Sequence, residues 1–275
     1  MNHPPRGRGR AWAELVCLIA ALASYPATQA QNTVRTSTVP DLPVERMSVT
    51  GLVENSLGMK FRTVPGGKVQ FSIWETLVQD YEAFVMASGR SWGKPGFDQG
   101  KQHPAVNVNW EDAQAFCRWL TTQERKAGRL TEQQRYRLPT DEEWSLAVGL
   151  GTESGTSPED KMKQRVIWPW GSYWPPRNRE GNYASELQVD TFPHTSPAGS
   201  FSPNAGGLYD LGGNVWEWCE DWYNAAQVTK VLRGGSFNDA HPATLLASYR
   251  FQGTMNLTGE DIGFRVVLES KPLPP

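Results

Sequence analysis

The stretch Gly207-Leu-Tyr-Asp-Leu-Gly-Gly-Asn-Val-Trp-Glu-Trp218 holds two carboxylates, one amide and three glycines within twelve residues. Calcium takes six to eight oxygens, drawn from carboxylates, amides and backbone carbonyls. Asp210 and Glu217 supply carboxylates, and Gly212 and Gly213 let the backbone curl its carbonyls inward. The same residues also suit turn chemistry, with Asp210 closing an Asx-turn and Glu217 in an ion pair. Residue types alone leave both readings open.

Outward from this stretch, turn signals and short apolar runs alternate. Glycine (26) and proline (20) make about a sixth of the 275 residues, above the roughly 12% of ordinary globular usage. With 12 tryptophans, this composition predicts a loop-rich domain pinned by aromatics and excludes long bundles and coiled coils. Three helices carry start signals. Thr76 or Asp80 opens one through Phe84 and Val85. Asn109 caps a second, in which Ala113, Phe116, Cys117 and Leu120 recur at helical spacing. Thr140-Asp-Glu-Glu143 is a capping box before Trp144. Strands are expected at Val69–Trp74, Ala105–Val108, Val231–Gly234 and Phe264–Leu268. The stretch from Gly149 to Tyr209 has almost no periodicity. A compact domain does not leave so long a segment unfixed, and bound metal ions are the expected source of order.

Hydrophobic residues (39%) suffice for a sizeable core, and a net charge of −2 excludes a large positive field for nucleic acid. Arg6, Arg8 and Arg10, the apolar run Leu15–Ala23 and the small residues Thr28 and Ala30 follow the order of a secretory signal cut after residue 30. A basic tail is the plainer alternative. The apolar run is too short to span a bilayer, so the mature chain is expected to carry no transmembrane segment and to be secreted or periplasmic. Residues 31–56 read as a linker, 57–270 as one domain and 271–275 as a tail. Cys117 and Cys219 remain after cleavage. They form one disulfide or pack separately in a core; the sequence leaves both open. His103, His194 and His241 lie far apart and read as surface or turn residues. Phe237-Asn-Asp-Ala-His241 offers an amide, a carboxylate and an imidazole to a hard metal or polar ligand, or forms a turn on a groove rim.

Six strings in order carry a resemblance. They are Asn107-Val-Asn-Trp-Glu-Asp-Ala113, Tyr136-Arg-Leu-Pro-Thr-Asp-Glu-Glu-Trp144, Trp168-Pro-Trp-Gly171, Gly207 to Trp218, Leu232-Arg-Gly-Gly-Ser236 and Gly263-Phe-Arg265. The chain from about Leu57 to Leu268 resembles the formylglycine-generating enzyme family, the sulfatase-modifying factors. The resemblance implies a single α+β, C-type-lectin-like domain, loop-rich, with short strands and two or three helices, held by calcium at two sites. One site would take Asp210 and Glu217 by side chain and Gly213 and Val215 by carbonyl. The other would take Asn182 and Asp190 by side chain and Tyr183 and Phe192 by carbonyl. The sugar-binding triplets of related lectins, Glu-Pro-Asn and Gln-Pro-Asp, do not occur.

The family enzyme also implies two cysteines after Gly-Gly-Ser that hold copper(I) and convert a substrate cysteine to formylglycine. Here the matching positions are Asp239 and Thr244. Soft thiolates select copper(I) and hard oxygen ligands do not, so copper is not expected and no residue is assigned a catalytic role. The relatives' bridge from the position of Cys117 has Val267 as its partner position here. The expected function is a non-catalytic, calcium-stabilised module binding a protein or peptide, with a sulfatase among the candidate partners. Its groove would be formed by Trp216, Ser236, Asp239, His241 and Thr244. A divergent enzyme acting on a sulfatase cysteine and a structural surface protein are the alternatives.

Overall fold

The computed structural model describes residues 51–163 and 166–270. The signal segment, residues 31–50 of the linker and the tail lie outside the described residues. Nine short strands form two sheets among them. The first has the order β1 (Val53–Glu54), β2 (Lys60–Thr63), β3 (Gln70–Ser72), β9 (Val267–Ser270), β4 (Gln134–Arg137), all pairs antiparallel. The second has the order β7 (Phe251–Thr254), β6 (Thr229–Arg233), β5 (Trp216–Trp222), β8 (Ile262–Gly263), with only β5–β8 parallel. The first strand therefore begins inside the segment read as linker.

The second and third helices form where their caps put them, while the first opens at Leu77, between the expected Thr76 and Asp80. α1 (Val78–Ser88) starts after Leu77, whose amide donates to Asp80 Oδ2 at 3.1 Å. α2 (Trp110–Lys126) is capped by Asn109, which accepts from Asp112 N at 2.8 Å. α3 (Asp141–Val148) has its capping box from Thr140 and Glu143. A one-turn helix, α4 (Pro158–Met162), was not anticipated.

Side-chain alternation builds the core. Val266 and Leu268 face a cluster with Tyr81, Phe116 and Trp218, while Val267 faces another with Trp144 and Val231. Alternation along β5 sends Trp218 to the first cluster and Cys219 to the second, while Cys117 joins the first from the buried face of α2. Both thiols are free and buried, which selects separate packing over a bridge.

Three expected strands differ. Ala105–Val108 is buried but not in a sheet. Asn107 takes a left-handed φ of 57° and breaks the extended run. Ala105 N donates to Thr76 O and Asn107 N to Gly259 O, while the carbonyls of Val106 and Val108 accept from the indoles of Trp92 and Trp218. Phe264–Leu268 is extended only at its end: residues 264–266 link β8 in one sheet to β9 in the other, and β9 starts at Val267. Val231–Gly234 starts earlier and stops at Arg233, because Gly234 and Gly235 turn at φ 99° and 77°.

The aperiodic stretch has order of its own. Trp168, Trp170 and Trp174 pack with centroids 5.6–6.1 Å apart, and Tyr183 meets Trp170 edge-on at 5.1 Å. Glu153 is drawn inward by Arg250 and by Ser145 Oγ. Protein contacts thus fix part of what the sequence suggests metal ions must hold.

Candidate functional site

Three left-handed residues coil the segment after Tyr209: Asp210 at φ 56°, Gly213 at 78° and Asn214 at 59°. Asp and Asn tolerate this conformation better than most residues. The coil buries Asp210 and leaves both its carboxylate oxygens without a hydrogen-bond partner among the described residues. Glu75, in the link between β3 and α1, is 1% exposed, and its Oε2 is equally unpartnered. Burial first, then neighbouring Asp210, pushes Glu75 well above the usual carboxylate range. Burial also raises Asp210 to about 7, with Glu217 adding to it and Arg265 opposing. A buried oxygen left unpaired is costly, so this cluster fits a hard cation. Asp210 is also among the residues lining a cavity of about 1240 Å³.

Glu217 departs from the expected ligand set. Arg265 Nε donates to both of its oxygens at 2.9 and 2.8 Å, Arg265 Nη2 to Oε1 at 2.6 Å, and Trp144 Nε1 to Oε2 at 2.9 Å. Three donor groups thus make four contacts with the carboxylate, two to each oxygen. The ion-pair reading of Glu217 describes these contacts, and Glu75 is a further buried acid beside Asp210. No neighbouring acid in sequence marks Glu75. Arg265, from the Gly263-Phe-Arg265 string, is the clue that was available.

A second cluster lies beside the first. Asp190 accepts from Tyr183 N at 3.0 Å through Oδ2 and from Phe192 N at 2.8 Å through Oδ1. Asn182 donates to His194 O at 2.7 Å and to Asn214 Oδ1 at 3.1 Å, leaving its own Oδ1 buried and unpartnered. Among the described residues no three His, Cys, Asp or Glu side chains converge on one point. An ion at either cluster must take amide and carbonyl oxygens as well, which suits calcium better than a transition metal. Gly213 and Val215 lie in the coil, both buried.

The groove residues divide into two groups. Ser236 Oγ lies 2.8 Å from Asp239 Oδ2 and 3.1 Å from Asp261 Oδ2, and Ser236 N donates to Asp239 at 2.9 Å. Trp216 is buried near them, with Tyr249 and Phe251 at 6.0 and 5.5 Å between ring centroids. Burial raises Asp239 to about 6, with Asp261 contributing. His241 and Thr244 instead form a turn: His241 O accepts from Thr244 N at 3.1 Å, and Nδ1 from Ala243 N at 3.2 Å. The turn reading of this rim therefore holds for His241. Asp261 belongs to the site, and no motif marked it. Burial raises both thiols far above their ordinary range, so neither presents a thiolate at neutral pH.

A family model described as the sulfatase-modifying factor enzyme 1-like domain matches residues 22–270. The chain belongs to this family. The inactive C-alpha-formylglycine-generating enzyme 2 of Bos taurus is 32% identical over 191 residues, 63% of this chain and 54% of that protein. The formylglycine-generating enzyme of Thermomonospora curvata is 30% identical over 165 residues, 56% of this chain and 46% of that protein. The chain spans about half the length of these curated relatives. Among solved structures, PvdO from Pseudomonas aeruginosa shares the fold at 23% identity and a TM-score of 0.56, over 77% of this chain and 84% of that one. The α+β, C-type-lectin-like fold implied by the resemblance is the fold observed. No helix of the described residues is long and apolar enough to cross a membrane.

Proposed function

We propose that this domain of the sulfatase-modifying factor family is an exported, non-catalytic module that binds an extended peptide and is stabilised by two calcium ions. The carrying observation is the Ser236 site. Where the family resemblance puts a thiol pair, Asp239 is hydrogen-bonded to Ser236 and Thr244 belongs to a turn. A carboxylate and a hydroxyl neither hold copper(I) nor form a mixed disulfide with a substrate cysteine. Shape and backbone hydrogen bonding survive that loss. Trp216, Ser236 and the Phe237–His241 segment supply the groove, and a sulfatase segment is the candidate peptide.

Calcium, when bound, neutralises the buried carboxylates. Asp210, Glu75 and the carbonyls of Gly213 and Val215 would hold one ion. Asn182, Asp190 and the carbonyls of Tyr183 and Phe192 would hold the other. The inactive relative in Bos taurus supports a role without catalysis. The Arg-rich start and short apolar run support export, and N-terminal sequencing of secreted protein should begin near Gln31.

Peptide binding is tested by titrating a Cys-x-Pro-x-Arg peptide while following tryptophan fluorescence. Saturable binding that Trp216→Ala weakens at least tenfold is expected. No binding at millimolar peptide would refute the groove.

A further inference from the structure

The two candidate cation clusters share one residue that neither uses as a ligand. Asn214 is fully buried. Its Nδ2 donates to Glu75 Oε1 at 3.0 Å. Its Oδ1 accepts from Asn182 Nδ2 at 3.1 Å and from Ser196 N at 2.9 Å, with Ser196 Oγ at 3.3 Å. One amide therefore touches an acid of the first cluster and the amide of the second. The contact also sets which way Asn182 points. With Nδ2 held by Asn214 and His194 O, the unpartnered Oδ1 is the atom left for a cation.

The backbone carries the link on to the groove. Asn214 O accepts from Phe237 N at 3.0 Å, and Gly234 O accepts from Gly213 N at 3.0 Å. From the other cluster, Ala184, next to Tyr183, donates its N–H to Asp239 O at 3.2 Å. The segment Gly234–Asp239, which holds Ser236, is thus fastened by three hydrogen bonds to the two segments carrying the candidate ligands.

We infer that Asn214 couples the two cation sites to each other and to the groove segment, so that calcium orders the ligand site. Asn214 is a positioning residue in this scheme, acting through Glu75, Asn182 and Phe237. The inference rests on the calcium reading. It adds that the ions do not bind independently and that their loss loosens Gly234–Asp239.

Calorimetric calcium titration of the whole domain gives the first test. Asp190→Asn removes a carboxylate from the second site alone. It should weaken binding at the first site at least fivefold, the lower end of ordinary coupling between sites. In an Asn214→Gly background, which accepts the left-handed φ without strain, Asp190→Asn should leave the first site unchanged. Hydrogen exchange gives the second test and needs no substitution at Asn214. Chelation should speed amide exchange across Gly234–Asp239 at least tenfold while exchange in α2 stays constant. Two sites that titrate independently in the unmodified protein, or groove amides indifferent to chelation, would overturn the coupling while leaving calcium binding intact. A protein that takes up no calcium would overturn both.

Discussion

Replacing Asp141 by Asn removes the anion at the centre of a buried charge network. Asp141 Oδ1 accepts from Arg233 Nη1 and from Arg250 Nε, the latter at 3.0 Å. Its Oδ2 accepts from Arg250 Nη2 and Lys161 Nζ, each at 3.1 Å. The side chains of Arg233 and Arg250 are 0% exposed and that of Asp141 is 7% exposed, so water cannot replace the lost charge. Glu153 stays with Arg250, but Arg233 loses its only buried carboxylate partner among the described ion pairs. Removing one partner of a buried pair costs about 3–5 kcal/mol. At 2–4 °C per kcal/mol for a domain of this size, the melting temperature should fall by roughly 10 °C. Burial works against the Asp141 charge, yet Arg233 and Arg250 outweigh it and hold its carboxyl well below the usual range. A depressed carboxylate stabilises above its unfolded pKa of roughly 4 and loses that contribution as the pH falls below it. The gap between wild type and Asp141→Asn should therefore be full at pH 7 and shrink on acidification below about pH 4. Thermal unfolding followed by near-ultraviolet circular dichroism measures it. A variant within 2 °C of wild type at pH 7 would refute the claim that this network fastens α3 to β6.

Calcium and the Glu217–Arg265 pair separate by substitution. An ion at a hundredfold excess over its Kd stabilises by about 2.7 kcal/mol, so chelation should lower the melting temperature of the wild type by more than that of Asp210→Asn, which keeps only the second site. Glu217→Gln should destabilise by a similar amount with and without chelator, because it strands buried Arg265; chelator dependence lost on that substitution would return Glu217 to the ion. Asp239 carries the opposite pH sign to Asp141. Its folded pKa is raised to about 6, so the folded state holds a proton that the unfolded chain releases from about pH 4 upward, and stability falls as the pH rises from 4 to 6. Asp239→Asn should flatten that slope in denaturant unfolding, and an unchanged slope would exclude Asp239 as its source.

The helices were legible because their signals are local. Asn109 and the Thr140 to Glu143 box cap the turns they precede, whatever the rest of the chain does. The strands were less so. β1 and β8 have two residues each, too few for a period, and exist only because a distant partner meets them. β5 read as a cation and tryptophan motif, and its sheet pairing with β6 and β8 came from the fold. The site divides similarly. Asp210, Asn182 and Asp190 are singled out by one segment's chemistry and the family resemblance. Glu75 and Asp261 were missed because each gains its neighbours only when distant segments meet. Glu217 meets Arg265, which lies 48 residues away, so the sequence left open whether it met an ion or an arginine.

The central claim is that a formylglycine-generating enzyme frame here carries no thiol chemistry. Its most direct test incubates the purified protein with copper(I), dioxygen and a Cys-x-Pro-x-Arg peptide, and reads the peptide mass. The account predicts no aldehyde above the control with metal alone, even where the peptide binds. Conversion of the peptide cysteine to formylglycine above that control would contradict it.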